Sequence, residues 1–426
     1  FIGYSGNSGG SEGPHLHFEM RETISEEVIN PFKAGIIVAD NTKPIINRLV
    51  IYRFSNTNDT YITSRKINTK INTGNCKLAP GDTISVSEYF AFGIDCFDTQ
   101  NASSNKNAIY SMELIVDGIQ RYIQKFDKFH FDNSRYVNTH IDYAEKQESK
   151  IVIQKLFASK NNNSGIYITY FEKGRFLFKE NSFHSASIVV KDFNGNTSKL
   201  NFYIMQSKEA NKTKSKKENQ FDCSKENVYE SNDIKLVFPP NTFYDDIKFE
   251  YNQIQNKKYV SNIFSVLSRK TAVQNAFEIA IKSDKFVTKF KSKYIIASIN
   301  ENGKNTYEGG VVDGDWIKTK TKVLGKFALM IDTVSPIINS IIKLNEKREI
   351  NLVKQPYLDF LIQDELAGIN YYKVLVDNKW ILADYDAKNN LLRIETKKLE
   401  AGKHSIVINV IDNVGNSTTW TGNIVR

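Results

Sequence analysis

Three sequence landmarks occur twice in the same order, and this internal duplication constrains the fold more than any single element does. Asp40-Asn-Thr-Lys-Pro44-Ile-Ile-Asn47 matches Asp332-Thr-Val-Ser-Pro336-Ile-Ile-Asn339. Residues 109–118, ending Val116-Asp117-Gly118, align without gaps on residues 369–378, ending Val376-Asp377-Asn378. His184-Ser185, a strand-like run and Asp192-Phe-Asn-Gly195-Asn196 match His404-Ser405, a second such run and Asp412-Asn-Val-Gly415-Asn416. A chain with that pattern carries one domain twice. The copies differ mainly between the second and third landmarks, where 67 positions separate Asp117 from His184 but only 27 separate Asp377 from His404. The first copy therefore holds an insertion of about 40 residues, room for two or three extra strands.

Each landmark has a local reading. A proline near the start of a first strand need not donate to the ladder, and Val-Asp-Gly and Val-Asp-Asn are hairpin turns. Asp-x-x-Gly-Asn supplies a turn with positive φ before a last edge strand. Elsewhere, short runs rich in Ile, Val, Tyr, Phe and Thr, bounded by Asn, Asp, Gly and Lys clusters, recur without a sustained 3.6-residue period. The expected fold class is all-β, and the duplicated unit resembles an immunoglobulin-like sandwich. Residues 34–206 form the first sandwich with its insertion, 207–220 a Lys- and Asn-rich solvated linker, 221–331 a β-sandwich of uncertain type, and 332–426 the second copy.

At 426 residues the chain is too long for one core, and 40% hydrophobic with 25% charged residues is the composition of a folded protein. The net charge of +9 is scattered among acidic and Asn-rich stretches, which argues against nucleic acid and permits an anionic partner such as a cell wall or lipid surface. Cys76, Cys96 and Cys223 show no Cys-x-x-Cys spacing, and a bridge between Cys76 and Cys96 stays open. No apolar run of about 18 residues exists, so no transmembrane segment is expected. The first residue is Phe1, with no start methionine and no signal peptide in view, which reads as a fragment.

One motif carries chemistry. The opening Phe1-Ile-Gly-Tyr-Ser-Gly-Asn-Ser-Gly-Gly-Ser-Glu-Gly-Pro-His15-Leu16-His17-Phe18-Glu19 is a glycine-rich loop feeding a short strand. On a strand, residues two apart share a face, so His15, His17 and Glu19 project together while Leu16 and Phe18 face a core. Two imidazoles so placed suit one metal site, and Glu19 is positioned to accept a ligand's N–H and fix its tautomer.

The string strongly resembles the end of the lysostaphin-like metallopeptidases, zinc endopeptidases that cleave bacterial peptidoglycan cross-links. Gly3, Ser5, Gly6, Asn7, Ser8, Gly9, Ser11, Gly13, His15, His17 and Glu19 sit where that pattern wants them, and Asn30-Pro31 resembles its closing Asn-Pro. The resemblance covers residues 1–33 and implies the tail of an antiparallel β-sheet metallopeptidase domain. It implies Zn2+ as cofactor, His17 as metal ligand, His15 as catalytic base or transition-state stabiliser, and peptidoglycan peptides as substrate. It also implies an extracytoplasmic bacterial location, in the periplasm or at the cell surface. Catalytic zinc takes three protein ligands and an activated water. The family's other ligands, a His-x-x-x-Asp pair, and a further catalytic histidine lie upstream of this string, so the 426 residues alone are expected to be inactive.

The rival expectation is a non-catalytic envelope-binding or scaffolding protein, whose sandwiches contact glycan or protein partners beside a degenerate peptidase remnant. Several other features have plainer readings. Gly3 to Gly13 lacks the Gly-Lys-Ser/Thr ending of a phosphate loop. His184 and His404 occupy equivalent positions and read as structural, and His140-x-Asp142 reads as fortuitous rather than metal-binding. Asp192, Asn196, Asp412 and Asn416 read as turn formers, with calcium as the alternative. Tyr136, Tyr143 and Trp380 read as packing residues, with sugar stacking as the alternative.

Overall fold

Alternating burial turns the Ile- and Tyr-rich runs into sandwich leaves: Ser111–Val116 and Tyr357–Gln363 each bury every second side chain. The computed structural model describes residues 13–55, 59, 61–101, 103–178, 183–206, 219–283, 287–342, 349–352 and 355–426. The glycine-rich loop up to residue 12 and most of the 207–220 linker lie outside the described residues. Strand accounts for 51% and helix for 8%, so the chain is all-β.

In the first copy, Ile45–Phe54 pairs antiparallel with Tyr61–Ile71 and Tyr89–Phe97, and Phe183–Lys191 lies between Ser111–Val116 and Thr197–Gln206. Thr197–Gln206 also runs parallel to Asn75–Leu78 and Thr83–Val86, which stitches the two leaves into one 12-stranded sheet. Leu49, Phe90, Phe92, Leu114, Ile188 and Phe202 form its core. Full burial of each such side chain stabilises the fold by about 1.5–3 kcal/mol. The second copy repeats the plan, with Ile369–Val376, Lys403–Asp412 and Ser417–Val425 facing Ile337–Ser340, Tyr357–Gln363 and Leu391–Glu395 across Leu358, Phe360, Ile394 and Ile408. Between the copies, two five-stranded sheets close over Phe238, Phe277, Ile296 and Phe327.

The duplicated hairpin turns adopt the left-handed backbone their sequences favour, with φ of 52° and 75° at Asp117 and Gly118 and 47° and 64° at Asp377 and Asn378. His184 Nδ1 lies 2.6 Å from Asp117 Oδ2, and His404 Nδ1 lies 2.6 Å from Asp377 Oδ2. In each copy the following serine N–H donates to the same aspartate at 2.8 Å. Both histidines thus clamp a turn.

The insertion holds the short strands Lys128–Phe129, Ile153–Lys155, Tyr167–Tyr170 and Arg175–Leu177, and also a helix, Tyr143–Ser149. Asp142 caps that helix by accepting from the Glu145 N–H at 3.1 Å. Seven residues are too few to display a 3.6-residue apolar period, so only the Asp142-x-x-Glu145 spacing announces it. Cys76, Cys96 and Cys223 are free and buried. Burial pushes the Cys76 thiol up to about 11 and the Cys223 thiol up to about 12, so both behave as small apolar side chains. Among the described residues no helix is long and apolar enough to cross a membrane.

Candidate functional site

Residues 15–19 form no regular strand, and regular pairing starts only at Met20–Arg21, against Val28–Ile29. This corrects the expectation of a strand with a core-facing side. Leu16 and Phe18 are 78% and 63% exposed, because no sheet among the described residues packs against them. His15 Nδ1 lies 2.8 Å from the Gly13 carbonyl oxygen. Glu19 does reach His17, with Oε2 3.4 Å from Nε2, and its Oε1 accepts from Arg21 Nε at 2.8 Å. The Arg21 hydrogen bond, opposed by slight desolvation and helped by His17, holds the Glu19 carboxyl below its ordinary range. Among the described residues no group of three metal-capable side chains includes His15 or His17. One donor of a three-donor set does not make a catalytic zinc site.

The sheet begun at Met20–Arg21 is completed from the sandwich insertion, since Val28–Ile29 pairs with Lys128–Phe129. Asn30 donates its N–H to the Asp127 carbonyl at 2.9 Å, and its side chain caps the short Pro31–Ala34 helix through the Phe32 N–H at 3.1 Å. Lys33 to Asp127 at 3.1 Å adds an ion pair. The Asn30-Pro31 pair therefore fastens this tail onto the first sandwich.

Polar and aromatic side chains also converge where the insertion meets the middle sandwich, around a cleft of about 340 Å³ lined by Tyr52, Phe54, Tyr61, Phe157, Tyr244, Lys155, Arg175 and Asp245 among others. Arg175, only 5% exposed, pairs with Asp59 and with Asp245 at 3.3 Å, and its guanidinium lies 4.5 Å from the Phe54 ring centre. Burial lowers the Lys155 pKa, with Asp245 and Asp142 pulling it back. Tyr52 donates to Asp142 at 2.9 Å. Across the same junction Arg135 Nη2 donates to the Val273 carbonyl at 2.8 Å, Tyr244 donates to the Arg135 carbonyl at 2.9 Å, and Lys160 pairs with Asp246. The cleft thus combines ring faces with fixed charges, as a polar ligand with an apolar face requires. Sequence reasoning missed Arg175 because its two partners lie 116 and 70 positions away.

The remaining candidates separate. His140 is buried, with Nε2 3.1 Å from Gln154 Oε1 and 3.3 Å from Gln124 Nε2, whereas Asp142 serves Tyr52 and the helix cap, so the two do not share a ligand. His130 caps a helical turn through the Asp132 N–H. Tyr136 is buried with its ring centre 5.8 Å from that of Tyr244, Tyr143 lines the cleft, and Trp380 is exposed on its hairpin.

No curated protein matches the chain in sequence. Among solved structures it is similar to fibronectin(III)-like modules of Clostridium thermocellum CbhA, at 14% identity over 35% of this chain and 84% of that one, with a TM-score of 0.18. It is also similar to a 1.5-MDa bacterial ice-binding adhesin, at 9% identity over 81% and 93% of the chains and a TM-score of 0.14. A third is Bacteroides ovatus SGBP-B in complex with a mixed-linkage heptasaccharide, at 8% identity over 85% and 71% of the chains and a TM-score of 0.13. At such scores none of the three bears on function. Residues 218–332 match the family model of the Zu5-like domain, and it is this middle sandwich, not the whole chain, that the match describes.

Proposed function

We propose that this chain is the wall-positioning part of a zinc endopeptidase acting on peptidoglycan peptides outside the bacterial cytoplasm. The observation that carries the reading is the run from Gly13 to Glu19, in which Glu19 already touches His17 as a residue that orients a zinc ligand does. The exposed Leu16 and Phe18 supply an apolar face for the rest of a peptidase sheet to cover. His17 would be one zinc ligand and His15 the neighbouring base, in a site that needs the family's His-x-x-x-Asp pair as well. Bound zinc would acidify a water and polarise the scissile carbonyl. The charge of +9 suits an anionic wall polymer.

A second reading, a non-catalytic envelope scaffold, is favoured by the incomplete donor set at His17 among the described residues. Both readings expect the 426-residue protein to co-sediment with purified peptidoglycan, to take up substoichiometric zinc and to release no dye from labelled wall above a His17→Ala control. Stoichiometric zinc or net dye release would overturn the expectation that this chain alone is inactive, and failure to co-sediment would overturn wall positioning. The readings part when the chain is joined to a segment bearing the family's His-x-x-x-Asp pair. The peptidase reading then expects stoichiometric zinc, weakened about 10–100-fold by Glu19→Gln. Unchanged zinc content in the joined protein selects the scaffold.

A further inference from the structure

We propose that the first copy of the duplicated sandwich holds a Ca2+ ion where the chain enters it, bound by Asp40, Asp98 and Asp192, the places that Asp332, Asp364 and Asp412 occupy in the second copy. In each triad, one carboxylate oxygen per residue lies within 4.8 Å of the other two. Calcium binds oxygen at about 2.3–2.6 Å, so two oxygens on one ion are separated by at most about twice that distance, a span that these groups meet.

The triads are assembled in the same way from distant segments. Asp40 precedes Ile45–Phe54, Asp98 follows Tyr89–Phe97 and Asp192 follows Phe183–Lys191. Asp332 precedes Ile337–Ser340, Asp364 follows Tyr357–Gln363 and Asp412 ends Lys403–Asp412. The scaffold around them is also repeated. Asp192 accepts from the Asn196 N–H at 2.8 Å and from its Nδ2 at 2.6 Å, and that Nδ2 also donates to the Asp40 carbonyl at 3.0 Å. In the second copy Asp412 accepts from the Asn416 N–H at 2.8 Å and from Nδ2 at 2.7 Å, which also donates to the Asp332 carbonyl at 3.1 Å.

Turn formation explains Asp192 and Asp412, but it does not explain Asp98. That side chain is only 5% exposed, it contributes a carboxylate oxygen to the triad, and its Oδ1 takes no hydrogen bond among the described residues. A buried carboxylate oxygen with no donor is costly unless a cation meets it. None of the six aspartates forms an ion pair with lysine or arginine among the described residues. Burial, and then the Asp192 and Asp40 charges, push the Asp98 carboxyl up to about 6, and burial with Asp364 and Asp412 raises Asp332. In the second copy Lys293 donates to the Val414 carbonyl at 2.8 Å and brings a positive charge to the turn, and Asp332 and Asp364 already accept from backbone N–H groups.

The test uses the full chain stripped with chelator and titrated with CaCl2 at neutral pH. Calorimetry is expected to give one calcium ion per chain, lost in Asp98→Asn and kept in Asp364→Asn. At a calcium concentration about one hundredfold above Kd, the wild-type Tm is expected to rise by roughly 4–8 °C, and that of Asp98→Asn to stay put. Without calcium, Asp98→Asn is expected to melt no lower than wild type, because the amide removes a buried repulsion, so loss of the shift cannot be laid to misfolding. No calcium heat and no Tm shift in wild type, or a full shift in Asp98→Asn, overturns the proposal. One ion per chain that survives Asp98→Asn and is abolished by Asp364→Asn also overturns it.

Discussion

Replacing Arg175 by alanine is expected to destabilise the chain by about 2–4 kcal/mol and to loosen the middle sandwich from the first. Breaking a buried ion pair costs about 3–5 kcal/mol when the abandoned partner stays buried. Here the side chains of Asp59 and Asp245 are each 34% exposed, so water reaches them once the guanidinium leaves, and the penalty is discounted accordingly. The loss of the cation resting on Phe54 and Phe157 adds roughly 1 kcal/mol. Asp245 also accepts from the Lys160 N–H at 2.9 Å, so its displacement disturbs the adjoining contacts of the junction. Urea unfolding followed by tyrosine fluorescence would show an earlier midpoint for Arg175→Ala, with Arg175→Lys in between because an ammonium keeps the charge without the fork. A midpoint for Arg175→Ala that corresponds to less than about 0.5 kcal/mol would refute a junction role for this residue.

The second large effect is a loss of stability in mild acid that traces to His140. This imidazole is 3% exposed, and burial, partly offset by its hydrogen bond to Gln154 and reinforced by the Lys155 charge, lowers its pKa from 6.5 to about 4. Between those values the unfolded chain binds the proton and the folded one does not, so stability rises with pH across the window. The contribution is complete above pH 6.5 and is lost as pH falls to about 4. At 1.36 kcal/mol per unit this amounts to about 3 kcal/mol. His140→Gln keeps a group able to bond Gln154 and cannot titrate, so its urea midpoint is expected to fall less steeply over that pH range than that of wild type. Parallel pH profiles for the two proteins would assign the acid sensitivity elsewhere. Asp98 works in the opposite sense, because its raised pKa makes ionisation costly as pH climbs toward 6 in calcium-free buffer.

Much of the architecture was legible because it is written in local patterns. Alternation of apolar residues gave the strands, and Asp117-Gly118 and Asp377-Asn378 gave turns whose positive φ the side chains and glycine tolerate. The same repetition identified His184 and His404 as equivalent, and both clamp a turn. The His15-Leu16-His17 string was legible as a family resemblance, but its expected strand and buried face were not realised, since a strand needs a neighbour and Leu16 and Phe18 have none among the described residues. The Tyr143–Ser149 helix escaped notice because it is shorter than the window in which helical periodicity can be read.

Sequence alone determined that this chain is all-β, that one domain occurs twice, and that Asp40 and Asp192 have counterparts in Asp332 and Asp412, because strand alternation and turn chemistry act within a few residues. Only the tertiary structure decided that Asp98 and Asp364 join those pairs, that Arg175 meets Asp59 and Asp245, and that His140 lies sealed between Gln124 and Gln154. Those contacts link positions tens of residues apart, and sheet pairing and sandwich closure, not local propensity, set the distances between them.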